Sequence, residues 1–259
     1  MSVRIPIHSI PGLDACSRLV HGISPRCADH EDGSVEPLRL GREDMENASA
    51  EHRRWFLQSL GIEHDRLFLA KQVHSDRVVV IDRDSMTPAQ VGQQEADALV
   101  TNLRNIPLGV MTADCVPIIL YDEKAHAVGV VHAGRRGTQQ GILSRTLDAM
   151  KVIYGSRPER MVLGFGPSIG PCCYEVDDDC IAPFQNRGGG WRAFSTPGKP
   201  GKFMLDLWMA NRMEAERAGI GPDRIHLHGE CTACRTDRWF SYRKEGQTGR
   251  MITLAMLKD

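Results

Sequence analysis

The stretch LGVMTADCVPIILYDEKAHAVGVVHAGRRGT, residues 108–138, decides the architecture. Its apolar runs, Leu108–Asp122 and Ala127–His132, are too short for helices and read as strands. Gly134 then lets the chain turn sharply. A helix is predicted from about Thr138, because Ile142, Leu143, Thr146, Met150 and Ile153 recur at helical spacing and Gly155 supplies a stop.

Upstream, LFLAKQVHSDRVVVID (67–82) reads as two strands joined by a turn over Lys71–Arg77, and Glu43–Leu60 reads as a helix ended by Gly61. SPRCADHEDGSVEP (24–37) is polar and punctuated, which predicts a loop. Downstream, Arg160–Phe165, Ile225–His228 and Met251–Leu254 read as strands and Phe203–Ala218 as a helix. Gly188–Gly190 and Pro197–Gly201 are expected to bracket a mobile surface segment. Regular βαβ alternation is missing. The expectation is one α+β domain over residues 1–259, its mixed sheets covered by helices.

Apolar residues make up 41% and charged residues 25% of the 259, enough for a sizeable core. A net charge of −1 gives no electrostatic reason to expect nucleic acid or an anionic membrane as partner. No apolar run approaches the roughly 20 residues of a spanning helix. Met1–Val20 is interrupted by Pro6, Pro11 and Asp14, unlike a secretion signal, so a cytoplasmic location is expected. The eight cysteines then read as free thiols or metal ligands rather than as a disulfide framework.

Three segments each set a candidate ligand beside a strand end: Lys71-Gln-Val-His74-Ser75, Thr112-Ala-Asp-Cys115-Val-Pro117 and Val131-His132-Ala-Gly134. Pro117 is expected to limit regular pairing just beyond Cys115. Two imidazoles and a thiolate suit zinc, and three protein ligands leave a fourth position for water or substrate. The same residues also read as a buried thiol and two satisfied histidines. A competing Cys₂His₂ set comes from His226 and His228, on one side of a strand, with the following Cys231-Thr-Ala-Cys234. Cys172 and Cys173 are adjacent and would face apart on an extended chain, so they read as structural.

Gly134-Arg135-Arg136-Gly137-Thr138 runs into a helix N-terminus, where unpaired N–H groups and an arginine fork favour an anion such as phosphate. The plainer reading is a glycine-rich turn with solvated arginines. Arg243 and Arg250, in SYRKEGQTGR, are further candidates for that anion. A carboxylate is needed to move protons, and Asp114 and Glu175 are the candidates, although Asp114 suits hydrogen bonding to a turn equally well.

In order along the chain, KQVHSDRVV (71–79), ADALVTN (96–102), MTADCVPIILYD (111–122), GVVHAGRRGT (129–138), GPSIGPCCYEV (166–176), DLWMANRMEAERAGI (206–220) and CTACRTDRWFSYRKEGQTGRM (231–251) resemble the laccase-domain, or multicopper polyphenol oxidase-like, family. The resemblance implies a fold with mixed sheets packed between helix layers, in the order α/β/β/α. It implies that His74, Cys115 and His132 bind the metal, which is expected to be zinc, with copper the alternative carried by the family's older name. It also implies a purine nucleoside phosphorylase with adenosine deaminase and methylthioadenosine phosphorylase activity, whose partners are a small nucleoside and phosphate. The alternatives are editing of peptidoglycan precursors, by zinc or by Cys115 as nucleophile with His132 as base, and copper-dependent phenol oxidation. The sequence departs from the family where Arg135 replaces a tryptophan, where Ser24–Asp29 lacks a glycine pair, and at Leu38-Arg39-Leu40-Gly41.

Overall fold

Val116–Asp122 and Ala127–Ala133 are buried at every position, as expected of strands covered on both faces. Around them the computed structural model describes residues 3–41, 47–186 and 190–258. The chain begins with β1 (Val3–Arg4), β2 (Leu19–Ile23), β3 (Cys27–His30), β4 (Val35–Pro37) and helix α1 (Asn47–Ser59). Next come β5 (Val78–Ile81), the short α2 (Pro88–Gly92), β6 (Ala98–Thr101), β7 (Leu108–Thr112), β8 (Val116–Asp122) and β9 (Ala127–Ala133). Helices α3 (Arg135–Gln140) and α4 (Ile142–Tyr154) precede β10 (Val162–Phe165), β11 (Glu175–Asp177) and α5 (Asp178–Asn186). Then follow β12 (Ser195–Pro197), β13 (Lys202–Leu205), α6 (Leu207–Arg217), β14 (Ile225–Leu227), α7 (Tyr242–Glu245) and β15 (Met251–Leu257).

A six-stranded mixed sheet, in the order β14-β10-β8-β9-β6-β5, forms the centre. The three-stranded sheet β2-β15-β7 packs on one of its faces through Val110, Leu108 and Ala255 against Val128, Val130 and Ile119. On the other face lie Ile142, Leu143, Leu147 and Met150 of α4, with Leu207 and Ala210 of α6. Phe56 and Leu57 of α1 cover the outer face of β15 at Ile252 and Leu254. The layers therefore run helix, sheet, sheet, helix, as expected. Two small antiparallel sheets, β1-β3-β4 and β11-β13-β12, flank this sandwich.

Several local expectations are corrected. The polar loop over 24–37 contains a hairpin, β3 and β4, whose turn is closed by Asp32 accepting from the Ser34 amide and hydroxyl at 2.9 and 2.6 Å. It is polar because it belongs to a small, solvated sheet. The first predicted strand in 67–82 is an extended segment carrying only the isolated bridges Phe68–Leu108 and Lys71–Glu95. The helix predicted from Phe203 begins at Leu207. Before it, β13 pairs on both sides, and Asp206 caps the helix by accepting from the Met209 amide at 2.9 Å. Helical structure also begins earlier than Thr138, at Arg135, and the left-handed Gly141 separates α3 from α4. Ile153 is 46% exposed, and Leu147 fills the core face of α4 instead. The predicted mobile segment contains strand β12 and ends where β13 begins, and Gly188 and Gly189 lie outside the described residues, as do residues 43–46 of the predicted first helix.

Pro117 does not limit pairing with β9, since it lies opposite His132 in the β8–β9 ladder. Its carbonyl accepts from the Gly166 amide at 2.9 Å, on the β10 side and just past Phe165, the last residue β10 pairs with β8. A residue's N–H and C=O point to the same side of a strand, so the missing donor falls where that ladder has already ended.

Candidate metal centre

His132 is the penultimate residue of β9, and Cys115 lies in the bend joining β7 to β8, immediately before Val116. The β8–β9 register pairs Val116 with Ala133, which brings Cys115 to the His132 end of the ladder. His74 reaches the same point from the loop ahead of β5, so it is not at a strand end as expected. One donor atom from each residue lies within 4.8 Å of the others. The Cys115 Sγ to His74 Nε2 distance is 3.9 Å, and the two imidazole centroids are 4.9 Å apart. His132 is buried, Cys115 half-buried and His74 exposed, so the group spans from the sheet interior to solvent.

The loop bearing His74 is shaped by Asp97, the residue just before β6. One Asp97 carboxylate accepts the backbone N–H groups of Val73, His74 and Ser75 at 3.2, 3.0 and 2.6 Å. It also accepts the Ser75 hydroxyl at 2.7 Å. Wrapping three consecutive amides around one carboxylate puts His74 at φ 60°, a left-handed conformation a non-glycine residue rarely adopts. His132 Nδ1–H donates to the same carboxylate at 2.8 Å, which leaves Nε2 as the imidazole's ligand atom. Burial alone would push the Asp97 carboxyl up; the bond and charge of His132 and the Ser75 donors outweigh it and hold it down at about 2. Asp97 thus orients one ligand by its ring and another by its backbone.

Burial likewise opposes ionisation of Cys115, yet the charge and hydrogen bond of His132, then those of His74, bring its thiol down to about 6. Burial would lower His132, but Cys115 and Asp97 together raise it to about 9. Without a metal, thiolate and imidazolium stabilise each other; an ion bound there would displace the His132 Nε2 proton and take both groups as ligands. Gly134 completes the cradle. A Cβ there would meet Cys115 Sγ at 2.8 Å, too close to be accommodated without a shift, and would crowd His74 Cδ2 at 3.0 Å. A borderline donor set of this kind, three in number and open on one side, fits a divalent ion such as zinc.

Asp114 sits at φ 95° beside Cys115. Its two carboxylate oxygens are engaged, one by the Thr232 hydroxyl and the other by the Arg243 amide, each at 2.6 Å, and its carbonyl accepts the Ile169 amide at 2.9 Å. Arg243 also donates to the Glu175 carbonyl at 2.6 Å, and its guanidinium lies 5.0 Å from the Tyr174 ring centroid. Burial raises the Tyr174 phenol, and the charge of Cys115 raises it further against Arg135 and Arg243, so these four groups share one neighbourhood. Arg135 is half-buried and hydrogen-bonds Gln139 at 3.2 Å, whereas Arg136 is exposed on α3. Arg250 donates to the carbonyls of Thr248 and Gly249 at 2.7 and 2.9 Å, closing its own turn.

His226 and His228 do not join Cys231 and Cys234. The chain reverses at Gly229, φ 81°, leaving the His226 ring against Gly12 and His228 edge-on to Trp239, 5.6 Å away. The two cysteines instead meet Cys172 and Cys173. Asp97 and Tyr174 were not legible as site residues, although both lie in the stretches ADALVTN and GPCCYEV. The available signal was a lone acidic residue heading an apolar strand.

The chain is similar to known proteins over most of its length. The family model described as multi-copper polyphenol oxidoreductase laccase matches residues 21–258. A purine nucleoside phosphorylase of Deinococcus radiodurans is 37% identical over 250 residues, covering 95% of this chain and 91% of its own. Adenosine deaminase RL5, from an unknown prokaryotic organism, is 37% identical over 201 residues, 75% of this chain and 76% of its own. Among solved structures, the Bacillus licheniformis hypothetical protein YfiH superposes with a TM-score of 0.88 at 29% identity, covering 98% of this chain and 99% of that one. YlmD from Geobacillus stearothermophilus superposes with a TM-score of 0.83 at 27% identity, over 94% and 93% of the two chains. The chain belongs to the multi-copper polyphenol oxidoreductase laccase family.

Proposed function

We propose that this chain is a zinc enzyme of purine nucleosides, a phosphorylase that also deaminates adenosine and cleaves methylthioadenosine. The observation that carries the reading is the three-donor group of His74, Cys115 and His132, backed by Asp97 and open towards Arg135, Arg243 and Tyr174. The names of the relatives, a phosphorylase and a deaminase, support the substrate class.

His74, Cys115 and His132 would hold the ion. When bound, zinc supplies Lewis acidity and brings the pKa of water towards about 7. The residues of the chain do the rest. Asp97 keeps His132 in the tautomer that offers Nε2. Tyr174 presents an aromatic wall suited to a purine, its ring held by Arg243. Arg135, Arg136 and Arg243 are the cations that would meet phosphate, Arg135 and Arg243 both acting electrostatically on the Tyr174 phenol. In phosphorolysis the bond from the anomeric carbon to the purine nitrogen breaks, a bond to phosphate oxygen forms, and the purine nitrogen takes a proton. Glu175 is the carboxylate assigned to that proton. Asp114, whose oxygens already accept two short hydrogen bonds, positions the wall instead. In deamination the ring carbon exchanges its amino group for a water oxygen, and ammonia leaves.

Copper-dependent phenol oxidation lacks ligands here. Among the described residues, the two clusters able to hold a metal are the triad and a group of four thiols, and multi-electron oxygen chemistry calls for several histidine-rich centres. The deciding experiment assays metal-depleted and zinc-restored protein with adenosine, with inosine plus phosphate, with a mis-linked peptidoglycan precursor and with a phenol. Zinc-dependent release of hypoxanthine from inosine and of ammonia from adenosine is expected. Turnover of the precursor alone, surviving metal removal, would replace this reading with a Cys115 hydrolase.

A further inference from the structure

Cys172-Cys173 and Cys231-Thr-Ala-Cys234 are 58 or more residues apart in sequence, yet the four sulfurs all lie within 4.8 Å of one another. The two adjacent cysteines converge because they occupy a turn, not an extended strand: the Cys173 and Tyr174 amides both donate to the Gly170 carbonyl, at 3.0 and 3.2 Å. Gly170 allows the approach, since a Cβ there would stand 2.9 Å from the Trp208 ring and 3.3 Å from Cys231 Cβ. On the other side, the Cys234 and Arg235 amides donate to the Cys231 carbonyl at 3.2 and 3.0 Å, folding the C-x-x-C segment into a second turn. A bridge between Ser168 and Cys231 joins the two segments.

We propose that Cys172, Cys173, Cys231 and Cys234 form a second metal site, a structural tetrathiolate that takes zinc. Four sulfurs around one ion at bonds of about 2.3 Å stand about 3.8 Å apart. The Sγ distances from Cys234 to Cys172 and Cys173 are 3.6 and 3.4 Å, near that spacing and far from the roughly 2.05 Å of a disulfide. The Gly170 N–H points at Cys231 Sγ, 3.2 Å away, a donor that suits a thiolate ligand. Cys231 is buried and Cys173 half-buried, while Cys172 and Cys234 are exposed, which gives an ion a route in. On binding, the four thiols release their protons to solvent.

The two turns need such a staple. Among the described residues, the apolar cluster between them has only Ile169, Cys231 and Ala233 as buried members. These same turns supply both partners that hold Asp114 from this side, the Ile169 amide and the Thr232 hydroxyl. The tetrathiolate therefore pins the wall next to Cys115 without donating to the triad.

The test is zinc stoichiometry of the purified chain, prepared under reduction and cleared of loosely held metal. About two equivalents are expected in the native protein and about one in the Cys172→Ser/Cys234→Ser variant. Should that variant fail to fold, Cys115→Ser reads the same site with the cluster intact. It should retain one equivalent, show thiolate-to-metal charge transfer after replacement with cobalt, and melt lower once a chelator strips the ion. A metal-free Cys115→Ser protein whose four thiols alkylate freely would overturn the proposal. So would a native chain in which these cysteines are linked as disulfides.

Discussion

His74, Cys115 and His132 come from three segments fixed to the central sheet, whereas Cys172, Cys173, Cys231 and Cys234 come from two turns joined by a single bridge. The triad mixes imidazole and thiolate, and its ligands are held from behind by a carboxylate. The second group is all sulfur, with a backbone amide as its supporting donor. Three donors leave a metal a free position for chemistry; four donors saturate it and tie their two turns together. The difference teaches where rigidity originates. In the triad the sheet sets the donors, and in the cysteine cluster the proposed ion would tie two separate turns together.

The sharpest way to break this contrast is at Cys115. Cys115→Ser should lose one zinc equivalent and, with several kcal/mol of charge stabilisation gone, about three orders of magnitude in turnover, measured by elemental analysis beside both assays. Retention of the triad's zinc in that variant would move the reactive centre elsewhere. Asp97→Asn comes next. Its amide cannot accept the full set of donors from Val73, His74, Ser75 and His132, so zinc affinity or activity should fall about 10- to 100-fold. An unchanged zinc affinity in a competition titration would show that the triad is not held by Asp97.

Smaller effects should follow at the arginines. The Arg135→Ala/Arg136→Ala double variant should lose about tenfold or more in phosphorolysis, the loss of a charged hydrogen bond worth about 1.5–3 kcal/mol, and much less in deamination, which uses no phosphate. Equal losses in both reactions would instead place the pair against the purine or the fold. The smallest effect is expected at Thr232→Val, which removes the 2.6 Å bond to buried Asp114. A cost of about 1–2 kcal/mol corresponds to about 2–8 °C in Tm for a chain of this size, read by calorimetry. A shift no larger than that of a surface substitution would mean the cysteine turns do not buttress Asp114.

The layered core and the triad were legible because long apolar runs and family motifs announce them: β9 falls where its apolar run places it and α4 within the expected helix, although the run Leu108–Asp122 divides before Cys115 into β7 and β8, strands of two different sheets. What escaped notice depended on chain reversal. Cys172 and Cys173 face apart on a strand but not in a turn, and His226 and His228 part from Cys231 because Gly229 swings the chain away. The β3–β4 hairpin and β13 are short strands of small sheets, half-solvated, with too little apolar patterning to stand out. Asp97 was hidden for a different reason: its partners lie 22 or more residues upstream and 35 downstream, and no local spacing marks a carboxylate as the hub of two ligands.

The last strand, β15, is buried at all seven positions and stands in the middle of its sheet, between β2 near the start of the chain and β7, which leads to Cys115. During synthesis, β2 and β7 therefore wait on the ribosome without the strand that joins them. The inner sheet stays open until β15 has emerged, so β7, which leads to Cys115, gains its β15 partner only after everything between Leu108 and Leu257 has been made. A chain cut short before Met251 would expose two sheet edges with no partner, material for aggregation or proteolysis rather than a weakened enzyme.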